Sequence, residues 1–124
     1  MQRALDQVIH DAVLQNTHMV LMLDRAGLVG EDGPTHHGVF DLSYLRCIPN
    51  ITILAPADER ELKDMLFTAL TGKGVYVIRY PRGAGTGADY SALPRILAPG
   101  KGELVQQGNK IAILAIGKMV STAI

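Results

Sequence analysis

Apolar residues recur at helical spacing at the start of the chain. Ala4, Leu5, Val8, Ile9, Ala12 and Val13 fall on one face of a segment from Gln2 to Gln15, with Arg3, Asp6, Gln7, His10 and Asp11 on the other. The pattern predicts an amphipathic helix that begins at the second residue with no favoured N-cap before it, as expected if an upstream element has been cut away. Met19-Val-Leu-Met-Leu-Asp24 is a continuous apolar run closed by an acid, the signature of a parallel strand covered on both faces. Ile51-Thr-Ile-Leu54 and Val75-Tyr-Val-Ile-Arg-Tyr80 predict two further buried strands. Between the first two, Asp41 is placed to cap a short helix through Cys47, closed by Pro49. Before the third, Asp58 and Glu61 form a capping pattern ahead of Leu62, Met65, Leu66, Ala69 and Leu70, and Thr71-Gly-Lys-Gly74 ends that helix. Strand, helix, strand, helix, strand predicts a parallel α/β sheet with right-handed crossovers.

The pattern then weakens. Gly83 to about Pro99 is rich in Gly, Ala, Pro and Ser without periodicity, which predicts a linker or a surface excursion. Glu103 to Gln107 and Lys110 to Ile116 are strand-like and flank Gly108-Asn109, a hairpin signal, and Ser121 is placed to cap one more helix. Both ends therefore read as cut within a larger protein.

Composition narrows the classes. A chain of 124 residues that is 48% hydrophobic can bury one core and is too apolar for disorder. Twelve basic residues balance twelve acidic ones, so no global field recruits nucleic acid or an anionic membrane, and any charge recognition is local. No apolar run approaches the roughly 20 residues that span a bilayer. The single Cys47 cannot staple the fold, and a cytoplasmic location is expected. With apolar neighbours on a helix, Cys47 is expected to be buried and inert, and Met19, Met22 and Met65 to fill the core.

Candidate chemistry gathers in two places. The stretch from Asp24 to Gly38 collects Arg25, Glu31, Asp32, His36 and His37 on a glycine-punctuated loop at a strand's carboxyl end, where ligands bind in open α/β sheets. The plainer alternative is a polar surface loop. Zinc is disfavoured, because adjacent histidines seldom ligate one metal and no further His or Cys follows at ligand spacing. Arg79-Tyr-Pro-Arg-Gly83 follows the third strand and should open on the same edge, where its guanidinium groups suit phosphate or carboxylate, although such arginines are often solvated or ion-paired. Gly83-Ala-Gly-Thr-Gly87 lacks the Lys-Ser/Thr of a phosphate loop, and Asn50-Ile-Thr52 is an idle sequon without a secretory leader.

The run from Asp24 through Asn50, DRAGLVGEDGPTHHGVFDLSYLRCIPN, closely resembles the 1-deoxy-D-xylulose-5-phosphate synthase family, thiamine-diphosphate enzymes related to transketolase. QRALDQVIHD, APADERELKDML and IRYPRG resemble the same family in the same order, so the resemblance covers nearly the whole chain. EDGPTH is shared with transketolases, whereas DRAG and FDLSYLR favour the synthase; Leu5 departs from the family, which commonly has Tyr there.

The resemblance implies an α/β fold with a parallel sheet. Residues 1–83 would be a thiamine-diphosphate-binding domain of the transketolase pyrimidine type, truncated at its amino end. Residues 84–99 would be a linker, and 100–124 the first strands of a carboxy-terminal α/β domain. It implies decarboxylative condensation of pyruvate with D-glyceraldehyde 3-phosphate in non-mevalonate isoprenoid, thiamine and pyridoxal biosynthesis, by a cytoplasmic homodimer. Arg25 and Arg82 match substrate-anion arginines, Asp32 and His36 an active-site acid and imidazole, and Arg3 a residue beside the aminopyrimidine. His37 and Arg79 receive no role. The activating glutamate and the Gly-Asp-Gly site for Mg2+ and diphosphate match nothing in the chain, so the fragment alone is expected to be inactive. A transketolase-like enzyme with another acceptor and a non-catalytic interaction module remain the alternatives.

Overall fold

The computed structural model describes residues 1–124. Three parallel strands, β1 (Met19–Leu23), β2 (Ile51–Leu54) and β3 (Val75–Arg79), form one sheet in the order β1-β3-β2. Helices α2 (Asp41–Leu45) and α3 (Glu59–Thr71) lie in the two connections. Central β3 registers Val75 with Met19 and with Ile51, so all three strands run level.

The pleat of β3 divides the core. Val75 and Val77 pack with Val8, Ala12, Val13, Leu45 and Ile48 on one face, while Tyr76 and Ile78 pack with Met65 and Ala69 on the other. Burying a side chain such as Ile78 contributes roughly 1.5–3 kcal/mol, which is why a four-residue buried run suffices to anchor three layers.

The expected amino-terminal helix is present with mixed geometry: a 3-10 turn at Gln2–Ala4, an α turn, α1, at Leu5–Gln7, and a π turn at Val8–Val13. The wider turn brings Val8 and Val13, five residues apart, onto the core side together. At α3 the capping pattern forms: Asp58 Oδ1 accepts from the Glu61 N–H at 2.8 Å, and Glu61 Oε2 from the Ala57 N–H at 2.6 Å.

Five expectations are corrected. Met22, expected in the core, is exposed, because β1 is an edge strand covered on one side only at that position. Asp41 does not cap α2; it is buried inside the first turn, where it meets Tyr44 and Arg79. Cys47 is exposed, because α2 ends at Leu45 and the turn after it points the thiol outward. The 103–116 hairpin, and with it the first strands expected at 100–124, does not form: the segment has no regular structure and leaves Leu114 fully exposed. A lone two-stranded hairpin is marginal in water, and this one pairs with neither edge strand. Ser121 lies inside α4 (Met119–Ala123) and not at its cap.

Residues 84–99 have no regular structure, yet α3 holds part of them. Glu59 accepts from the Thr86 hydroxyl and the Gly87 N–H, which hold its carboxyl down at about 2. Lys63 donates to the Tyr90 and Ala92 carbonyls. Buried Asp64 accepts from Arg95 twice, backbone N at 2.9 Å and Nε at 3.0 Å, and Thr68 Oγ1 accepts from the Leu97 N–H. Periodicity could not announce this strap, since irregular backbone contacts have none.

Burial pushes the Asp64 carboxyl up, but the two Arg95 hydrogen bonds and its charge outweigh that, so its pKa lies below the ordinary value. A depressed carboxylate stabilises the fold above its unfolded pKa and ceases to as pH falls through the folded one. Asp64→Ala is therefore expected to cost about 1–2 kcal/mol in urea unfolding at neutral pH. The difference from wild type should shrink only below about pH 4, and trypsin should cut faster after Arg95. An unchanged cleavage rate would contradict the strap.

Candidate anion site at the carboxyl edge of the sheet

The ladder between β1 and β3 runs on past the strands. Leu23 O accepts from the Tyr80 N–H at 2.9 Å, and Tyr80 O accepts from the Ala26 N–H at 2.9 Å. The loops carrying Arg25 and Arg82 thus leave the sheet side by side.

The first loop closes on itself. The Gly38 N–H donates to the carbonyls of Arg25 (3.0 Å) and Gly27 (2.9 Å), and the Gly27 N–H returns a bond to Gly38 O at 3.0 Å. Inside this neck are two 3-10 turns, Gly30–Asp32 and Pro34–His36, joined by Gly33 at φ 81° and ψ 174°, a conformation essentially reserved for glycine. His37 Nδ1 accepts from the Val29 N–H at 3.1 Å, so that nitrogen carries the lone pair and the ring braces the loop. Arg25 sits at φ 61°, a left-handed backbone that a non-glycine side chain adopts at a cost.

Asp32 is the meeting point. Its Oδ2 accepts from Arg25 Nε at 2.8 Å, and its Oδ1 lies 3.2 Å from Arg82 Nη1. Arg25 also donates to Asp24. The Arg25 hydrogen bond, helped by the charges of Arg82, Arg25 and His36 and opposed by burial, holds the Asp32 carboxyl below its ordinary value. In return, the Asp32 hydrogen bond and the Asp24 and Asp32 charges raise Arg25. Asp32 is mostly covered at 17% exposed, whereas Arg25 and Arg82 keep 37% and 49% of their surface, so guanidinium donors remain open to a ligand. His36 is exposed on the same loop with Nδ1 3.0 Å from Thr35 Oγ1.

Arg3 does not join them. It is exposed in the first helical turn and makes no hydrogen bond or ion pair with the cluster. No three His, Cys, Asp or Glu side chains are grouped to hold a metal. A cleft of about 210 Å³ opens between Pro56–Glu59 and the segment after β3, where Tyr80, Pro81 and Gly83–Thr86 line it and Arg82 does not. No helix is long and apolar enough to cross a membrane.

A second polar group lies under the loop, and it draws Arg79, expected with Arg82 to face an anion, into the structure instead. Arg79 Nη2 donates to Gly38 O at 3.0 Å and its Nε faces Asp41 Oδ2 at 3.8 Å, while Asp41 Oδ1 accepts from the Tyr44 hydroxyl at 2.6 Å. Burial, then the Asp41 hydrogen bond, raises the Tyr44 phenol. The available signal was a charge ending four buried strand positions.

Comparison with known proteins fits this arrangement. Residues 1–86 match the family described as transketolase, pyrimidine binding domain. The chain is 56% identical over 124 residues to the 1-deoxy-D-xylulose-5-phosphate synthase of Oleidesulfovibrio alaskensis, covering 100% of this chain and 19% of that protein. The synthase of Chlorobaculum tepidum is 55% identical over 125 residues and that of Methylobacillus flagellatus 56% over 124, each covering 100% of this chain and 20% of the relative. The chain thus spans about a fifth of the length of these relatives. The match over residues 1–86, more than half of the chain, places it in the transketolase pyrimidine-binding domain family, and the parallel sheet is consistent with that.

Proposed function

We propose that this chain is part of a thiamine-diphosphate-dependent 1-deoxy-D-xylulose-5-phosphate synthase, which condenses pyruvate with D-glyceraldehyde 3-phosphate and releases carbon dioxide for isoprenoid, thiamine and pyridoxal synthesis. The observation that carries the reading is the convergence of Arg25 and Arg82, from two separate loops, on the one carboxylate of Asp32. A phosphorylated aldehyde presents an oxyanion of similar acceptor geometry, and two guanidinium forks can hold it from both sides. Asp32 holds both forks in orientation beforehand, so little side-chain ordering is left for the moment of binding. With Asp24 and Asp32 ionised, two positive charges face two negative ones. Selectivity then rests on hydrogen-bond placement rather than on net attraction.

His36, exposed beside this group, is placed to give or take a proton at the acceptor's carbonyl oxygen. Thiamine diphosphate, when bound, supplies the carbon nucleophile. Arg3 is the residue of this chain assigned to its aminopyrimidine. The donor set here does not fit a diphosphate-bound Mg2+, so its ligands belong to other parts of the enzyme. Exposed apolar side chains such as Leu104, Ile111 and Leu114 suit association in a cytoplasmic homodimer.

Two outcomes test this reading. In the full-length enzyme, Arg25→Ala or Arg82→Ala removes charge-assisted hydrogen bonds worth roughly 1.5–3 kcal/mol. The KM for D-glyceraldehyde 3-phosphate should therefore rise about 10- to 100-fold, with a smaller change for unphosphorylated D-glyceraldehyde. An unchanged KM in steady-state assays, or preferred turnover of ketose phosphates, would refute it. The isolated 124-residue chain should show no turnover and no tight cofactor binding. Magnesium-dependent, tight thiamine diphosphate binding in a titration calorimeter would contradict that.

A further inference from the structure

Arg79 is a costly residue to keep where it is. Its side chain is 14% exposed at the end of the most buried strand, and its Nε has no hydrogen-bond partner. Asp41 Oδ2 is 3.8 Å away, close enough for charge attraction but beyond a hydrogen bond. A buried, imperfectly satisfied ion pair is commonly no more stable than apolar side chains of similar volume. Stability alone therefore does not account for an arginine there.

Its position connects the two arginines of the anion site. Through Nη2 it holds Gly38 O at 3.0 Å, and Gly38 is the neck of the loop: its N–H bonds the Arg25 carbonyl directly. Along the backbone, Arg79 is followed by Tyr80 and Pro81 and then by Arg82. One side therefore fixes the backbone of Arg25 in its left-handed conformation, and the other fixes the start of the segment bearing Arg82. The neck leaves no slack, since a Cβ on Gly38 would fall 2.7 Å from Asp41 Oδ2 and against the Arg25 carbonyl.

We infer that Arg79 is a positioning residue which, by gripping the Gly38 carbonyl above Asp41, sets the gap between Arg25 and Arg82 in which a substrate oxyanion is held. It touches no substrate. The inference rests on the reading of that gap as an anion site, and it assigns to Arg79 the spacing of the site rather than its charge.

The test compares wild type, Arg79→Met and Arg79→Lys in the full-length enzyme. Inorganic phosphate is titrated while the Arg25 and Arg82 side-chain N–H signals are followed by NMR, and KM is measured for D-glyceraldehyde 3-phosphate and for D-glyceraldehyde. Arg79→Met should weaken phosphate about tenfold and raise the KM of the phosphorylated aldehyde by a similar factor, with kcat and the unphosphorylated KM changed far less. Arg79→Lys, which can still donate to Gly38 O, should recover part of both losses. Unchanged phosphate affinity in a folded Arg79→Met variant overturns the inference, as do equal losses on both aldehydes or a lysine no better than methionine. If wild type fails to turn over these substrates, the synthase reading fails, while the phosphate titration still decides the role of Arg79.

Discussion

The parallel ladder of β1 on β3, extended through Tyr80 and Ala26, is the constraint on which the site depends. It is a backbone device: two hydrogen bonds of 2.9 Å beyond the strand ends carry the pairing into the loops. Because the strands are level, Asp24-Arg25 and Pro81-Arg82 emerge at the same height. Side-chain chemistry then needs to travel only a short distance, and Asp32 on its closed loop bridges it. Burial of Val77 and Ile78 on opposite faces holds this ladder in place, so the core beneath the sheet and the charge pattern above it belong to one arrangement.

Four carboxylates meet arginine in this small fold, and besides Asp24, which only flanks Arg25, three of them do so with different consequences. Asp32 bridges two partly exposed guanidinium groups and leaves donors facing solvent. Asp41 is buried against Arg79 with a geometry too long for a hydrogen bond, and it takes its best contact from Tyr44. Asp64 is buried too, but both of its oxygens accept from Arg95, one of them from backbone. The fully satisfied pair serves the structure, tying an irregular segment to α3. The open pair is available for a ligand, and the unsatisfied pair lies between the core and the loop it supports.

Much of this was legible in the residues. Three apolar runs of strand length and one capped helix place the sheet and α3 nearly to the residue, because period and capping are local properties. Arg25, Asp32 and Arg82 could be proposed for one edge because a parallel sheet aligns its carboxyl ends. Their shared carboxylate, the neck at Gly38 and the grip of Arg79 could not be read, since each is a contact between segments distant in sequence. Asp41 looked like a cap because its residue type is right for one, yet the Tyr44 hydroxyl bonds one of its oxygens and the buried charge of Arg79 faces the other. The Gly-Asn pair suggested a hairpin, but a strand needs a partner ladder, and residues 103–116 have none here.

The claim at the centre of this account is that Arg25 and Arg82 act as one unit around a single anion. A double-mutant cycle measures that directly: phosphate affinity of the full-length enzyme in wild type, Arg25→Ala, Arg82→Ala and the double variant. Groups that share Asp32 and one ligand should be coupled by at least about 0.5–1 kcal/mol. Losses that add to within about 0.3 kcal/mol would show two independent arginines and contradict the account.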